Sequence, residues 1–204
     1  MGSWTYSFLI PRTDKDLVIS RESLLVFEHG GFKLDSTAMR VLPDEEGYCE
    51  PRGSEIVFAE DRYHQALSLL ETGTDLLLTY RNRDLYLSLM FARCARSPHI
   101  MIGWSTRLFR KMSNESRSLL LEQIAEFAKE IDVFASVFVA DPPGYFEDRM
   151  VEIDQTLVLV LESPKGGAIP VQEIWTQGDE VEIDLGSALS AGSITGFRRF
   201  LVDC

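Results

Sequence analysis

The residue types that most often carry catalysis or bind metals are scattered along the sequence. The chain of 204 residues has three histidines and three cysteines, at His29, His64, His99, Cys49, Cys94 and Cys204. A metal site usually takes ligands that stand close together on one element, and only Cys94 and His99 are near each other. We therefore expect no metal and no cofactor, with Cys94 as a small buried residue and His99 on a surface loop.

Motifs for nucleophilic catalysis and phosphate binding do not occur in the sequence either. It contains no G-x-S-x-G elbow and no G-x-x-x-x-G-K-[ST] loop. The Gly/Ser-rich stretch 186–196 could cradle an anion with its backbone N–H groups, but a flexible connection between strands explains it better. Glu147 and Asp148 follow a Pro-Pro-Gly turn and could act in acid–base catalysis, although a solvated turn explains them equally well. The sequence therefore leans away from an enzyme.

Charge is the feature that points to a partner, because it is unevenly distributed. The chain has 20 Lys+Arg and 32 Asp+Glu, which gives a formal net charge of −12. Residues 1–52 carry a net −3, residues 53–112 a net +2 and residues 113–204 a net −11. Such an asymmetry between parts of a chain favours binding to an oppositely charged partner.

A predicted helix carries one row of this charge. Glu122, Glu126 and Glu130 recur every four residues, on the side opposite an apolar face, and only Lys129 stands nearby as a counter-charge. Like charges at this spacing oppose helix formation slightly. The row is therefore either a solvated face that keeps the protein soluble or a surface that binds a basic partner.

A predicted strand at 181–185 and the residues before it carry a second acidic cluster: Glu173, Asp179, Glu180, Glu182 and Asp184. Within the strand, Glu182 and Asp184 alternate with apolar residues, so both carboxylates should project from the same face. Trp175 lies close in sequence. A row of carboxylates beside an aromatic side chain is what a binding face for a basic protein would need, because acids steer association and aromatics act as anchors.

These acidic residues lead to a hypothesis about function. We expect a non-enzymatic protein that uses its acidic C-terminal half to bind and neutralise a basic protein partner. In general character, a small acidic α+β protein without catalytic motifs resembles the bacterial immunity proteins, and the resemblance implies a cationic toxin as the partner.

The sequence is also compatible with two other functions. A small-molecule-binding domain or an enzyme would have a pocket between the sheet and a helix, with Glu147, Asp148, His64 or His99 as polar groups. A structural or assembly subunit would offer an exposed strand, such as residues 4–10, for pairing with another chain.

Composition also limits the compartment and the other partners. The sequence shows no signal-peptide pattern, no apolar run of roughly 18 residues or more, and no disulfide framework, so we expect a cytoplasmic protein that does not span a membrane. Binding to nucleic acid is disfavoured, because phosphate neutralisation needs a basic stripe. The basic residues that come nearest to one form a modest set: Arg81, Arg83, Arg93, Arg96, Arg107, Arg110 and Lys111.

Periodicity in the N-terminal part predicts mainly strands. Residues 4–10 alternate in a strand pattern that Pro11 ends, and the run 17–19 also predicts a strand. Residues 24–27 fit either a strand or a helical turn capped at Ser20. Residues 43–54 concentrate turn formers and charge, which predicts a surface loop and a sub-boundary between an N-terminal β unit and the rest.

The remainder alternates between helices and strands. Helices are predicted at about 63–70 and from Ser113 to Ile131, and residues 55–59 either form a strand or extend the first helix. Strands are predicted at 76–80, 85–92, 100–104, 134–140, 157–161, 171–175, 181–185 and 200–202. We therefore expect an α+β fold in a single compact domain, residues 1–204: a mainly antiparallel sheet with two amphipathic helices packed on it, ferredoxin-like with extra strands.

Overall fold

A ten-stranded antiparallel sheet organises the chain. The computed structural model describes residues 4–11, 18–45, 47, 49–95, 98–140, 150–153, 156–159, 171–177 and 188–202. The helices are α1 (Arg21–Leu25), α2 (Arg62–Glu71), α3 (Thr106–Lys111) and α4 (Asn114–Glu130), with a 3₁₀ helix at Val26–Gly30. The strands are β1 (Trp4–Pro11), β2 (Lys33–Pro43), β3 (Cys49–Val57), β4 (Leu76–Arg81), β5 (Tyr86–Ala92), β6 (His99–Ser105), β7 (Val133–Ala140), β8 (Met150–Ile153), β9 (Thr156–Leu159), β10 (Val171–Thr176), β11 (Ala188–Ile194) and β12 (Phe197–Val202).

The strand order places the first strand in the middle of the sheet. The order is β11-β12-β10-β7-β1-β6-β5-β4-β2-β3, and all neighbours run antiparallel. β8 and β9 form a separate two-stranded sheet. The predicted α+β class, an antiparallel sheet with a few helices, is confirmed, whereas the ferredoxin-like arrangement stays a prediction. Because β6 and β7 occupy both edges of β1, residues 4–10 are not the exposed strand that an assembly subunit would need.

The helices pack on one face of this sheet and enclose the main core. Alternate residues of the central strands point into it, among them Leu87, Leu89 and Phe91 of β5. Phe27 of the 3₁₀ helix links the two layers, since its ring centroid lies 5.3 Å from that of Tyr80 and 5.4 Å from that of Phe127 in α4. Burying such a side chain fully stabilises the fold by about 2–3 kcal/mol.

The helical alternative for residues 24–27 is the one that forms. The Ser20 hydroxyl accepts a hydrogen bond from the backbone N–H of Ser23 at 3.0 Å, and the Ser23 hydroxyl accepts one from the N–H of Ser20 at 3.1 Å. This reciprocal capping box satisfies two N–H groups that a helix start leaves unpaired. The strand predicted at 17–19 is wrong for Val18 and Ile19, which belong to no strand, and Leu17 lies outside the described residues.

Residues 33–57 form a hairpin of β2 and β3 at one edge of the sheet. The predicted loop at 43–54 is wrong for residues 49–54, which belong to β3. Of the two alternatives for 55–59, the strand is right for residues 55–57, and the helix begins only at Arg62. β3 contains Gly53, at φ +91°, and its pairing with β2 shifts register between Met39 and Val41. β3 lies at the edge of the described sheet, where such irregularities are common.

The opposite face of the sheet carries an aromatic row. Trp4, Tyr6 and Phe8 follow one another along β1 with ring centroids 6.3 Å apart at each step. Tyr6 lies flat over β6 because its register partner there is Gly103, where a Cβ atom would meet the Tyr6 ring at 2.9 Å. His99 packs against Phe8 at 5.6 Å and is 1% exposed, so the prediction of a surface loop histidine is wrong.

The Gly/Ser-rich stretch near the C-terminus forms a strand. Residues 188–194 are β11, paired with β12 along its length, so the predicted flexible connection is wrong there. The pairing includes a register shift between Ser190 and Gly192, and Gly192 has φ +96°. A β-bulge of this kind needs a glycine, since other residues avoid positive φ. Among the described helices, none is both long and apolar enough to cross a membrane.

Candidate functional site

Helix α4 is the element that positions the first predicted acidic row. It begins after Ser113, whose hydroxyl accepts a hydrogen bond from the backbone N–H of Ser116 at 3.1 Å. Hydrogen bonds with its own backbone amide and with Ser113 hold the pKa of Glu115 below its usual value. On the inner face, Leu120, Ile124 and Phe127 are fully buried. The predicted start of the helix at Ser113 and its predicted apolar face are both confirmed.

The outer face of α4 exposes the carboxylates of Glu122, Glu126 and Glu130. Leu119, which is 45% exposed, lies on the same stripe, because positions 119, 122, 126 and 130 fall within about 80° of arc around a helix with 3.6 residues per turn. No basic side chain among the described residues lies within ion-pair distance of the three glutamates. The row is thus an accessible anionic surface with an apolar residue at one end.

Glu173 of the second predicted cluster is engaged inside the protein. Its Oε1 accepts hydrogen bonds from Nε1 of Trp175, at 2.6 Å, and from Nε of Arg199 on the neighbouring strand β12. Its side chain is 14% exposed, and Trp175 is fully buried against Phe138, with ring centroids 4.5 Å apart. Glu173 and Trp175 are therefore in contact, but their hydrogen bond stabilises the fold and does not form an exposed binding face.

The other members of that cluster are not in the described part of the chain. Asp179, Glu180, Glu182 and Asp184 lie outside the described residues, as do the strand predicted at 181–185 and the loop acids Glu147 and Asp148. Of the predicted acids that the structure describes, Glu122, Glu126 and Glu130 therefore lie in one exposed row on α4, whereas Glu173 is hydrogen-bonded within the protein.

The two histidines proposed for a small-molecule site lie on opposite sides of the sheet. His64 is exposed on α2, one of the helices that pack on the main core. His99 contacts Phe8, which points away from that core because its neighbour Leu9 points into it. The two imidazoles therefore cannot line one pocket between the sheet and a helix.

The main cluster that sequence reasoning missed surrounds Asp75, which is 4% exposed. One carboxylate oxygen accepts a hydrogen bond from Nε of Arg93 at 2.7 Å, and the other accepts one from the backbone N–H of Cys94 at 2.8 Å. Arg93 also donates to the carbonyl groups of Leu70 and Thr74. The cluster ties the end of α2 to the turn after β5.

Two cysteines meet beside this carboxylate. The Sγ atoms of Cys49 and Cys94 are 2.9 Å apart, with Cys49 buried and Cys94 exposed, so the prediction that Cys94 is buried is wrong. Partial burial of the Cys94 thiol is the largest effect on its pKa and raises it; the hydrogen bond with Cys49 lowers this pKa, the Asp75 carboxylate raises it, and the net shift is upward. No local pattern could have found the pair, because 45 positions separate the two residues.

The modest basic set is divided between paired and exposed residues. Arg81 binds Asp35, and Arg93 binds Asp75. Arg107, Arg110 and Lys111 are exposed on α3, a helix of six residues. These positions form no continuous stripe of unpaired charge within the described chain.

No family model matches the chain, and no curated protein matches it either. Among solved structures, one that is similar in part is the Pseudomonas aeruginosa T6SS protein PA0821, with a TM-score of 0.36 and 12% sequence identity. The matched region covers 72% of this chain and 45% of that protein, so the chain corresponds to less than half of its length.

Proposed function

We propose that this protein is a non-enzymatic cytoplasmic binding protein whose acidic surface occupies and neutralises a basic protein partner, in the manner of an immunity-protein inhibitor of a toxin. The observation that carries the proposal is the outer face of α4, with three exposed carboxylates in one row and no described basic side chain to neutralise them. The proposed acidic surface also includes Asp179, Glu180, Glu182 and Asp184, which are assigned to it from the sequence alone.

The chemistry of the row supports a protein as the partner. Carboxylates at spacing i, i+4, i+8 repel one another and weaken an isolated helix slightly, so they add nothing to the stability of α4. The same charges accelerate the approach of a cationic surface. Leu119 supplies an exposed apolar side chain at one end of that stripe, and protein interfaces combine apolar contacts with polar and charged ones.

Glu173 is left out of the proposed surface. Its carboxylate is already hydrogen-bonded to Trp175 and Arg199 through Oε1, and its side chain is only 14% exposed. Residues 113–204 together carry a net charge of −11, and net negative charge favours association with a cationic partner.

A matched pair of variants tests the proposal. The first carries Glu122→Gln, Glu126→Gln and Glu130→Gln, and the control carries Glu45→Gln, Glu55→Gln and Glu60→Gln, three exposed acids on other elements. Both variants lose the same net charge. Each protein is immobilised and used to capture proteins from the cells that produce it, at low and at high salt, and the captured basic protein is then purified and its affinity measured.

We expect wild type and control to bind the same basic protein at low salt and the α4 variant to bind it about tenfold more weakly or worse. High salt should reduce the difference, since screening weakens exposed charges. Equal affinity of the α4 variant and the control would show that the row is only a solvated face. Capture of no basic protein by the wild type would contradict the proposal as a whole.

A further inference from the structure

Two thiols that are far apart in sequence lie within reach of a covalent bond. The Cys49 and Cys94 Sγ atoms are 2.9 Å apart, and forming a disulfide would need an approach of about 0.9 Å more. Cys49 opens β3, and Cys94 lies in the turn that follows β5. A bond between them would connect the edge strand β3 to the turn after β5, a strand that lies three positions further into the sheet.

The surroundings hold both residues in place. The backbone N–H of Cys94 donates to the Asp75 carboxylate, which Arg93 also binds. Cys49 is paired with Pro43 of β2 and packs in a small apolar cluster with Val41, Met90 and Ala92. Since the backbone around each thiol is fixed by such contacts, the two sulfur atoms stay close without a covalent bond.

We propose that Cys49 and Cys94 form a thiol pair that a low-molecular-weight disulfide oxidises to a reversible intramolecular disulfide. The site is independent of the acidic surface proposed above. Its consequence is mechanical: β3 is paired only with β2 in the described sheet, and the new bond fixes its first residue to the turn after β5.

The exposure of the two thiols sets the order of the exchange. The exposed Cys94 thiolate attacks one sulfur of the reagent RS–SR, the reagent S–S bond breaks, and a mixed disulfide forms as RS⁻ leaves. The buried Cys49 thiolate then attacks the Cys94 sulfur, and the second RS⁻ leaves. The protein gives up two electrons and two protons, and the reagent takes up both to become two thiols.

The short distance between the two sulfur atoms favours this reaction, whereas the acidity of the Cys94 thiol does not. Burial and the Asp75 carboxylate raise the pKa of Cys94, so little thiolate is present at neutral pH. As long as the pH stays below that pKa, the first exchange step should therefore become about tenfold faster for each unit by which the pH is raised. The second step is intramolecular, and the mixed disulfide should not accumulate.

The experiment uses a Cys204→Ser protein, so that only the two paired thiols remain. It is incubated with oxidised glutathione under native conditions, denatured, alkylated and measured by intact mass. We expect two alkylated cysteines before oxidation and none after it, a mass loss of two hydrogen atoms, no glutathione adduct, and full reversal by dithiothreitol. The oxidised form should also unfold at a Tm about 5–10 °C higher, because the bond closes a long loop in the unfolded chain.

Two further variants decide between a disulfide and simple thiol modification. Both variants also carry Cys204→Ser. In the Cys49→Ser variant, the mixed disulfide at Cys94 has no second thiol to resolve it and should persist as one glutathione adduct. Cys94→Ser changes an exposed position, keeps the fold and should show neither the adduct nor the mass loss. If the Cys204→Ser protein itself accumulates the glutathione adduct while Cys49 still reacts with the alkylating reagent, the proposal is overturned.

Discussion

The carboxylates of this protein fall into two groups that perform opposite tasks. Asp75 is buried and Glu173 is mostly buried, and both accept hydrogen bonds from arginine side chains and from groups that would otherwise be unpaired. Glu122, Glu126 and Glu130 are exposed on α4 and have no ion-pair partner among the described residues. The carboxylates of the first group stabilise the fold and are therefore not available to bind a partner. Those of the second group are available to a partner and contribute nothing to stability.

Removing Asp75 should have the largest effect on stability. In Asp75→Ala, Arg93 loses its carboxylate and the N–H of Cys94 loses its acceptor, and breaking a buried pair of this kind costs about 3 kcal/mol of the free energy of unfolding. Urea unfolding measures the loss. The exposed Asp84→Ala serves as the control and should change stability by less than about 0.5 kcal/mol. If Asp75→Ala and Asp84→Ala were equally stable, the claim that the buried carboxylate stabilises the fold more than an exposed one would be contradicted.

Glu173 should show a smaller effect of the same sign. Glu173→Ala leaves Nε1 of the buried Trp175 without its acceptor and Arg199 without its ion pair, and we expect a loss of about 2 kcal/mol in urea unfolding. Glu173→Gln keeps an acceptor for Trp175 and should recover about half of that loss. If Glu173→Gln is as stable as wild type but no longer binds the basic partner, Glu173 belongs to the binding group after all.

The row on α4 should respond with the opposite sign. Replacing Glu122, Glu126 and Glu130 by Gln removes two repulsive i, i+4 pairs and should raise the free energy of unfolding by roughly 0.5 kcal/mol. The same variant loses affinity for the partner, so stability and binding should move in opposite directions. A clear loss of stability in thermal or urea unfolding would mean that these carboxylates are structural.

Glu115 combines features of both groups and should give the smallest effect. It is exposed, yet hydrogen bonds at the start of α4 lower its pKa. A carboxylate with a lowered pKa stabilises the folded state above its unfolded pKa, and this contribution disappears as the pH falls through the folded value. Wild type should therefore be more stable than Glu115→Gln at pH 7, and unfolding curves recorded near pH 2 should no longer differ. A constant difference at both pH values would assign the effect to helix packing.

The elements with a regular hydrophobic period were predicted well. β1, β4, β5, β6 and α4 keep one apolar face without interruption, and each was found close to its predicted bounds. β2 was missed because its buried residues Leu34, Ala38 and Val41 are four and three positions apart, where register shifts break the period of two. The Gly and Ser residues of β11 predict a loop, since these residues have a low strand propensity. The segment forms a strand because it pairs with β12.

The candidate site divides in the same way. Periodicity alone predicted the row Glu122, Glu126 and Glu130 and the buried face behind it, since both follow from one helix. The same reasoning grouped Glu173 with the binding acids, because its partner Arg199 is 26 positions away and adjacent only through the pairing of β10 with β12. It also placed Cys94 in the interior, although the turn after β5 exposes it.

Local sequence patterns are sufficient to predict the regular elements and the charged face of α4, because the period of 3.6 residues separates apolar from polar side chains within one segment. Which charges are available and which thiols meet depends instead on tertiary packing. Asp75 with Arg93, Glu173 with Arg199 and Cys49 with Cys94 are brought together by the order and register of the strands. Those properties depend on how distant segments pack, and no local pattern of residues encodes them.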